Sequence, residues 1–324
     1  MLGRIMVPLD GSAFAERALQ TATFLARRNG SGMHLVRVHQ PPLPVVVPGG
    51  GGAVHDPGLD LELEAEGRQY LLGRIEDRER WRTVTAYLRG PVTECLSGYV
   101  RDHEIDLVVM TTHARGGVGR AVLGSVADGL VRHSVAPVLL VRPGVAAPPA
   151  PAAAPVFRRV LLPVDGGPAE DRMIEHAIAV AGTTGVEYTL LRVVTSGAPS
   201  VRPPRPRRGE DPGSRAQRAM VQVTLGVKAG ELGARGLLVR PEVVVDDDPA
   251  EGILRYAAAN EFNLIAMATR SRGGLERLLL GSVADRVLRG AEITLLLWNP
   301  APASAPVQTQ APGLLEGIAA PAPS

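Results

Sequence analysis

Lysine is almost absent from this chain of 324 residues: Lys228 is the only one among 35 basic side chains. A P-loop requires Gly-Lys-Ser/Thr, and Lys228 sits in Gly226-Val227-Lys228-Ala229, which excludes a Walker-type nucleotide hydrolase. Cysteine is as scarce. Cys95 alone can make neither an internal disulfide nor a cysteine-based zinc site. Aromatic residues amount to 3%, and the one basic run, Arg202-Pro-Pro-Arg-Pro-Arg-Arg208, has none with which to stack a base, so it reads as a solvated loop. The net charge of +2 is near neutral, and arginines that never titrate are no argument for nucleic-acid binding. The first ten residues enter a strand-like segment without the charged start and long apolar run of a signal peptide, so a cytoplasmic location is the expectation.

What the chain does have is an internal repeat. Val7-Pro-Leu-Asp-Gly11 is answered by Leu162-Pro-Val-Asp-Gly166, an offset of 155 residues. Arg115-Gly-Gly117 and Leu123-Gly-Ser-Val-Ala-Asp128 are answered by Arg272-Gly-Gly274 and Leu280-Gly-Ser-Val-Ala-Asp285, an offset of 157. A tandem duplication follows, with domains at 1–144 and 157–300. An Ala/Pro linker at 145–156 joins them, and an Ala/Pro tail at 301–324 is expected to be disordered.

In copy one, short apolar runs at 4–9, 33–38, 82–88, 107–111 and 138–141 alternate with amphipathic stretches at 13–28, 59–80, 92–103 and 125–134. Copy two repeats the order, with strands near 159–164, 187–193, 237–245, 263–268 and 293–298 and helices near 168–182, 214–235, 249–260 and 282–290. Strands this continuously apolar are covered on both faces. The alternation predicts two α/β domains, each a doubly wound five-stranded parallel sheet flanked by helices. Ligands of such sheets bind beyond the carboxyl ends of the strands, where the strand order reverses. The segments the copies share most closely lie at those ends: Pro8 to Gly11, Arg37-Val38, and the loop from Thr111 to Ser125.

Gly124-Ser125 and Gly281-Ser282 each close a loop and open a helix, where free N–H groups and the positive helix end suit a phosphate. The same residues fit capping boxes, Ser125 with Asp128 and Ser282 with Asp285, and the two readings are compatible. Arg115 and Arg272, each followed by two glycines, would bring a guanidinium beside a phosphate, or mark an exposed turn. Asp10 and Asp165 could accept hydrogen bonds from an adenine amino group or a ribose hydroxyl, or act as turn or cap residues. Gly117-Val-Gly119 is no dinucleotide fingerprint, because position 122 is Val and the loop follows the fourth strand.

Taken together, Val-Pro-Leu-Asp-Gly-Ser12, Gly-Gly-Val-Gly-Arg-Ala-Val-Leu-Gly-Ser125 and Ala136-Pro-Val-Leu-Leu-Val-Arg142 resemble the universal stress protein family in its tandem two-domain form, over residues 4–142 and 158–298. The resemblance implies an adenine nucleotide α-hydrolase-like fold and, in one branch, ATP, with or without magnesium, bound through Gly, two residues, Gly, nine residues, then Gly-Ser or Gly-Thr. Gly124-Ser125 and Gly281-Ser282 match the end of that motif. The earlier glycines are replaced by Thr111 and Ala114 in copy one and by Ala268 and Ser271 in copy two. By resemblance, adenine would lie near Pro8, Leu9, Asp10 and Val38, and near Pro163, Val164, Asp165 and Val193. The phosphates would lie along Thr111, His113, Ala114, Arg115, Gly124, Ser125 and Val126, and along Ala268, Arg270, Ser271, Arg272, Gly281, Ser282 and Val283. The fifth strands of the two copies would associate within the chain as a pseudo-dimer, and a homodimer of chains is a further option.

Other groups read as structural. Asp246-Asp247-Asp248 before Pro249 fits a helix cap better than a metal cluster. His34, His103 and His176 read as surface or helix residues without ligand spacing, and Cys95 as a small buried hydrophobe. No Ser-His-Asp order or close carboxylate pair stands out as catalytic. The expected function is an ATP-binding sensor or regulator with slow hydrolysis at most. The alternatives are a weak ATPase and a nucleotide-independent interaction module.

Overall fold

The computed structural model describes residues 2–40, 57–75, 82–112, 124–142, 156–195, 212–269 and 280–300. The expected linker up to Pro155, the tail, the loop after each second strand and the site residues His113, Ala114, Arg115, Arg270, Ser271 and Arg272 lie outside them.

In the first copy the elements are β1 (Arg4–Pro8), α1 (Ala13–Asn29), β2 (Gly32–His39), α2 (Pro57–Leu72), β3 (Thr83–Arg89), α3 (Val92–Asp102), β4 (Leu107–Thr111), α4 (Ser125–His133) and β5 (Val138–Val141). The second copy has β6 (Arg159–Pro163), α5 (Glu170–Ala181), β7 (Glu187–Val194), α6 (Pro212–Ala234), β8 (Leu238–Val245), α7 (Pro249–Ala259), β9 (Leu264–Ala268), α8 (Ser282–Gly290) and β10 (Thr294–Trp298). The chain divides into two compact units; among the described residues the first holds residues up to Thr111 and Ser125–Val138, and the second holds Thr112, Gly124 and the residues from Leu139 onward.

The pairs β1/β2, β1/β4, β2/β3, β6/β7, β6/β9, β7/β8 and β9/β10 are parallel. In the first copy the strand order is β3-β2-β1-β4, with Met6 opposite both His34 and Val108. Two bonds bracket β5: Val108 N–H donates to the Pro137 carbonyl at 3.0 Å and Thr112 N–H to the Val141 carbonyl at 3.1 Å. The second copy runs β8-β7-β6-β9-β10. The chain therefore steps to one side of the central strand and then to the other, and the reversal falls at β1/β4 and β6/β9. Burial of both sheet faces explains the apolar runs: Ile5, Met6, Val7, Leu107, Val108 and Val109 are all inaccessible.

The helices are fixed locally by their ends. Ser12 caps α1, its hydroxyl accepting from Ala15 N–H at 3.1 Å, and Gly30 ends the helix in the left-handed region at φ 69°. Asp248 caps α7 by accepting from Ala250 and Glu251 N–H, as expected for an Asp before Pro. Asp246 instead accepts Asp248 N–H and pairs with Arg255, while Arg286 pairs with Asp248. Among the described residues no group of His, Cys, Asp and Glu is placed to hold a metal ion.

Two expectations are corrected here. His34 is on neither the surface nor a helix. It is buried on β2, its Nδ1 2.9 Å from the Tyr99 hydroxyl, with Tyr99 stacked on His103 at 3.8 Å between ring centroids. A polar side chain can occupy a buried strand position when a partner satisfies it. Cys95 is only half-buried and its thiol donates to the Arg89 carbonyl at 3.5 Å; burial, with Glu94 nearby, pushes its pKa up.

Candidate functional site

The carboxyl end of β1 is shaped by one aspartate and one serine. Asp10 Oδ1 accepts the Ser12 N–H at 2.8 Å and the Ser12 hydroxyl at 2.6 Å. Between them Gly11 has φ 94°, a backbone that only glycine adopts without strain. Burial acts to raise the Asp10 pKa, but the hydrogen bonds from Ser12 and the charge of Arg37 outweigh it and hold the carboxyl below the ordinary aspartate range. Asp10 is therefore an exposed, ionised acceptor.

This shift carries a pH prediction. A carboxylate with a depressed folded pKa adds stability that is fully present above the unfolded value, about 3.9, and disappears as pH falls through the lower folded value. Asp10→Asn should flatten that acid-side loss below about pH 4 and leave the pH 6–8 plateau without slope. Urea midpoints from pH 2.5 to 8 test this; parallel curves for variant and wild type would refute it.

The second copy builds the same turn with different partners. Asp165 Oδ1 accepts Gly167 N–H at 2.8 Å, and Glu170 Oε2 accepts Gly166 N–H at 2.9 Å, with Gly166 at φ 71°. Glu170 also takes Lys228 Nζ at 2.9 Å, and Asp171 takes it at 2.5 Å, so the chain's single lysine ties α6 to the first turn of α5. The first copy makes the equivalent tie with Glu16, which accepts from the Tyr70 hydroxyl and from Arg74 Nε, each at 2.8 Å.

Arg37 and Arg192 are residues that motif reading passed over. The Arg37 guanidinium covers Gly11, with Nη2 3.5 Å from where a Cβ would stand, and lies over the Tyr70 ring at 5.1 Å. Arg192 Nη1 donates to the Val164 carbonyl at 3.0 Å. Both flank the turn after the first strand of their copy, and the signal was their recurrence at the 155-residue offset that links the two turns.

At the switch point the loop after the fourth strand returns to open a helix. In the second copy Thr269 N–H donates to the Trp298 carbonyl and Gly281 N–H donates to the Thr269 carbonyl, both at 2.8 Å. Gly281 is the N-cap of α8, and it supplies no side-chain bond to the first turn. The capping-box expectation is corrected: Ser282 is the first helical residue, not the cap, and the Asp285 carboxylate is held by Arg289 at 2.9 and 3.0 Å. Asp128 is held likewise by Arg132 at 2.8 and 2.9 Å in the first copy. A bidentate arginine at i+4 makes a charge-assisted pair with the carboxylate.

Thr111 and Ala268 mark where the copies differ. The Thr111 hydroxyl is committed to the Phe14 carbonyl at 2.9 Å, a bond that Ala268 cannot make. Thr112, at the same strand end, is 2% exposed, and its hydroxyl has no partner among the described residues. A Cβ added at Gly124 would meet nothing within 4 Å among the described residues. Pro8, Leu9 and Val38 end β1 and β2, and Pro163, Val164 and Val193 end β6 and β7; in the second copy Val193 Cγ1 lies 3.2 Å from a Cβ built at Gly252 of α7. Val126 and Val283 follow the two serines in the first turns of α4 and α8.

The model of the universal stress protein family matches residues 1–142 and 157–298. The chain belongs to the universal stress protein family. This universal stress protein carries two tandem copies of the family domain. A universal stress protein of Mycobacterium tuberculosis is 30% identical over 195 residues, covering 60% of this chain and 62% of the relative. Another from the same organism is 28% identical over 216 residues, 65% of this chain and 63% of the relative. The chain thus spans about three fifths of the length of these relatives. Among solved structures, a universal stress protein from Archaeoglobus fulgidus superposes with a TM-score of 0.65 at 18% identity, covering 91% of this chain and 98% of that one, which supports the fold. Among the described residues no helix is long and apolar enough to cross a membrane.

Proposed function

We propose that this universal stress protein binds an adenine nucleotide beyond the carboxyl ends of the strands in one or both copies, and acts as a nucleotide-dependent sensor or regulator. The observation that carries the reading is the start of α8. Gly281 is anchored to the end of β9 through Thr269 and contributes no side-chain cap, so that among the described residues no cap side chain competes with phosphate oxygens for the first-turn N–H groups. In the first copy, a Thr112 hydroxyl that is buried and without a partner among the described residues, and the absence of any described atom within 4 Å of a Cβ at Gly124, fit the same ligand class.

The other end of the site suits a base and its ribose. Asp10, kept ionised by Ser12, is an acceptor for an amino group or a hydroxyl, and Asp165 takes the matching place in the second copy. Phosphate would be held by backbone N–H groups, Ser125 or Ser282, and arginine rather than lysine, because Lys228 is engaged by Glu170 and Asp171.

The test is made on the full chain. Nucleotide released from protein purified without added ligand, identified by chromatography, together with a melting temperature raised by millimolar MgATP, is the expected result. Protein free of nucleotide that shows no thermal shift with MgATP would remove the proposal.

A further inference from the structure

The turn after the first strand is closed differently in the two copies, and the difference leads to Lys228. In the first copy Ser12 gives Asp10 both its N–H and its hydroxyl, and the same hydroxyl caps α1. At the 155-residue offset Ser12 becomes Gly167, which has no hydroxyl to give. A serine side chain would crowd the turn there, since a Cβ at Gly167 would stand 2.8 Å from Asp165 Oδ1. Ala169, the N-cap of α5, makes no side-chain bond either. Glu170 reaches back from the first turn of α5 instead, and its Oε2 accepts the Gly166 N–H at 2.9 Å. Gly166 stands at φ 71°, so this bond holds a left-handed residue directly beside Asp165. The other oxygen of Glu170, Oε1, is bound by Lys228 Nζ at 2.9 Å. The Glu170 side chain is 9% exposed, and a carboxylate buried to that degree needs a cation beside it. Burial works against the charge on Lys228, but the hydrogen bonds to Asp171 and Glu170 outweigh it and raise its pKa above the ordinary lysine value.

We infer that Lys228 is a positioning residue of the second nucleotide site, acting from α6 through Glu170 on the turn that presents Asp165. For its ligand the inference rests on the nucleotide reading above; for its route it rests on the contacts of Glu170. Lys228 acts at one remove, because it meets Glu170 and Glu170 meets the turn. Its second partner, Asp171, is 80% exposed, and a pair on that side contributes little. Lys228 lies beside Leu225, Ala229 and Leu232, the residues that α6 buries, so the seating of that helix sets where the ammonium stands. The turn at Asp165 is thus conditional on α6. The turn at Asp10 is set by Ser12, its near neighbour in the chain, and Glu16, which stands where the second copy has Asp171, spends its carboxylate on Tyr70 and Arg74. Loss of the one ammonium charge should therefore weaken the second site and spare the first, so that the two copies answer separately to the state of a single side chain.

Amide exchange of the full chain, read by mass spectrometry on peptides from each turn with and without MgATP, tests the inference. In ligand-free protein Lys228→Met should speed exchange of the peptide holding Gly166 and Gly167 about tenfold and leave the peptide holding Gly11 and Ser12 unchanged. The MgATP concentration that half-protects the second turn should rise about tenfold, with the first turn unmoved. Lys228→Arg keeps the charge and should stay within about threefold of wild type on both measures. Because the route runs through Glu170, Lys228→Met should add nothing to the effect of Glu170→Gln. An unchanged second turn in Lys228→Met overturns the inference, and so does full additivity with Glu170→Gln. Faster exchange spread evenly over α5 and α6 would mean lost packing and overturns it too, as would MgATP protection of the first turn alone in wild type. MgATP that protects neither turn of wild type overturns the nucleotide reading instead, and the ligand-free exchange then decides by itself whether Lys228 sets the turn.

Discussion

Gly124→Glu is expected to lower ATP affinity at the first copy by about a hundredfold, equivalent to ~2.7 kcal/mol. The position stands immediately before α4, where the N–H groups and dipole of the helix are proposed to receive phosphate. A glutamate there sets a negative charge against the ligand and offers the helix an internal acceptor in its place. The fold should be unaffected, because a Cβ at Gly124 meets nothing within 4 Å among the described residues. Titration calorimetry of Gly124→Glu beside Gly124→Ala separates charge from bulk. An affinity for MgATP within threefold of wild type in the glutamate variant would rule out phosphate at this helix end.

The second large effect reverses the sign that helix propensity alone would give. Gly129 lies inside α4, where alanine is ordinarily better than glycine by up to about 1 kcal/mol. A Cβ at this place would stand 2.5 Å from Thr93 Cγ2 and 2.6 Å from its hydroxyl oxygen. Threonine is stiff at χ1 and cannot swing aside cheaply. Gly129→Ala should therefore destabilise the first copy by about 1–3 kcal/mol, the range for overpacking. Adding Thr93→Ala should recover most of the loss. The second copy already holds the relieved pair: Ala250 stands where Thr93 would, and Arg286 replaces Gly129 and reaches out to Asp248. Urea denaturation of both single variants and the double variant measures the coupling, and a Gly129→Ala protein as stable as wild type would contradict the contact. Since α4 also carries the candidate phosphate site, the single variant should weaken nucleotide binding as well.

The sheets were legible in the sequence because their residues answer to one strong constraint. Segments such as Leu107 to Thr111 and Thr294 to Trp298 are buried on both faces, and burial leaves an unbroken apolar run that no solvent-facing element shows. The cap at Asp248 was legible for a similar reason, since few geometries other than a helix start suit an Asp before Pro. Contacts that depend on which side chain reaches a shared partner first were not legible. Ser125 and Ser282 with Asp128 and Asp285 have the spacing of capping boxes, but Arg132 and Arg289 lie four residues further on and take the carboxylates. His34 gave no sign of burial, because its partner Tyr99 lies 65 residues away on α3. Arg37 and Arg192 look like ordinary strand-end charges until the turn after the first strand is seen beneath them.

The two hydrogen bonds that anchor the start of α8 also give the protein an optical handle. Trp298 receives the Thr269 N–H, and Thr269 in turn receives the Gly281 N–H, so one indole stands two bonds from the second candidate phosphate site. Its ring is buried, 5.0 Å from the His176 ring and 5.2 Å from the Arg172 guanidinium. The chain's only other tryptophan is Trp81, in the first copy. With Trp81 replaced by phenylalanine, every photon of indole emission comes from the second copy. Occupancy there can then be followed in a chain whose two halves would otherwise report together.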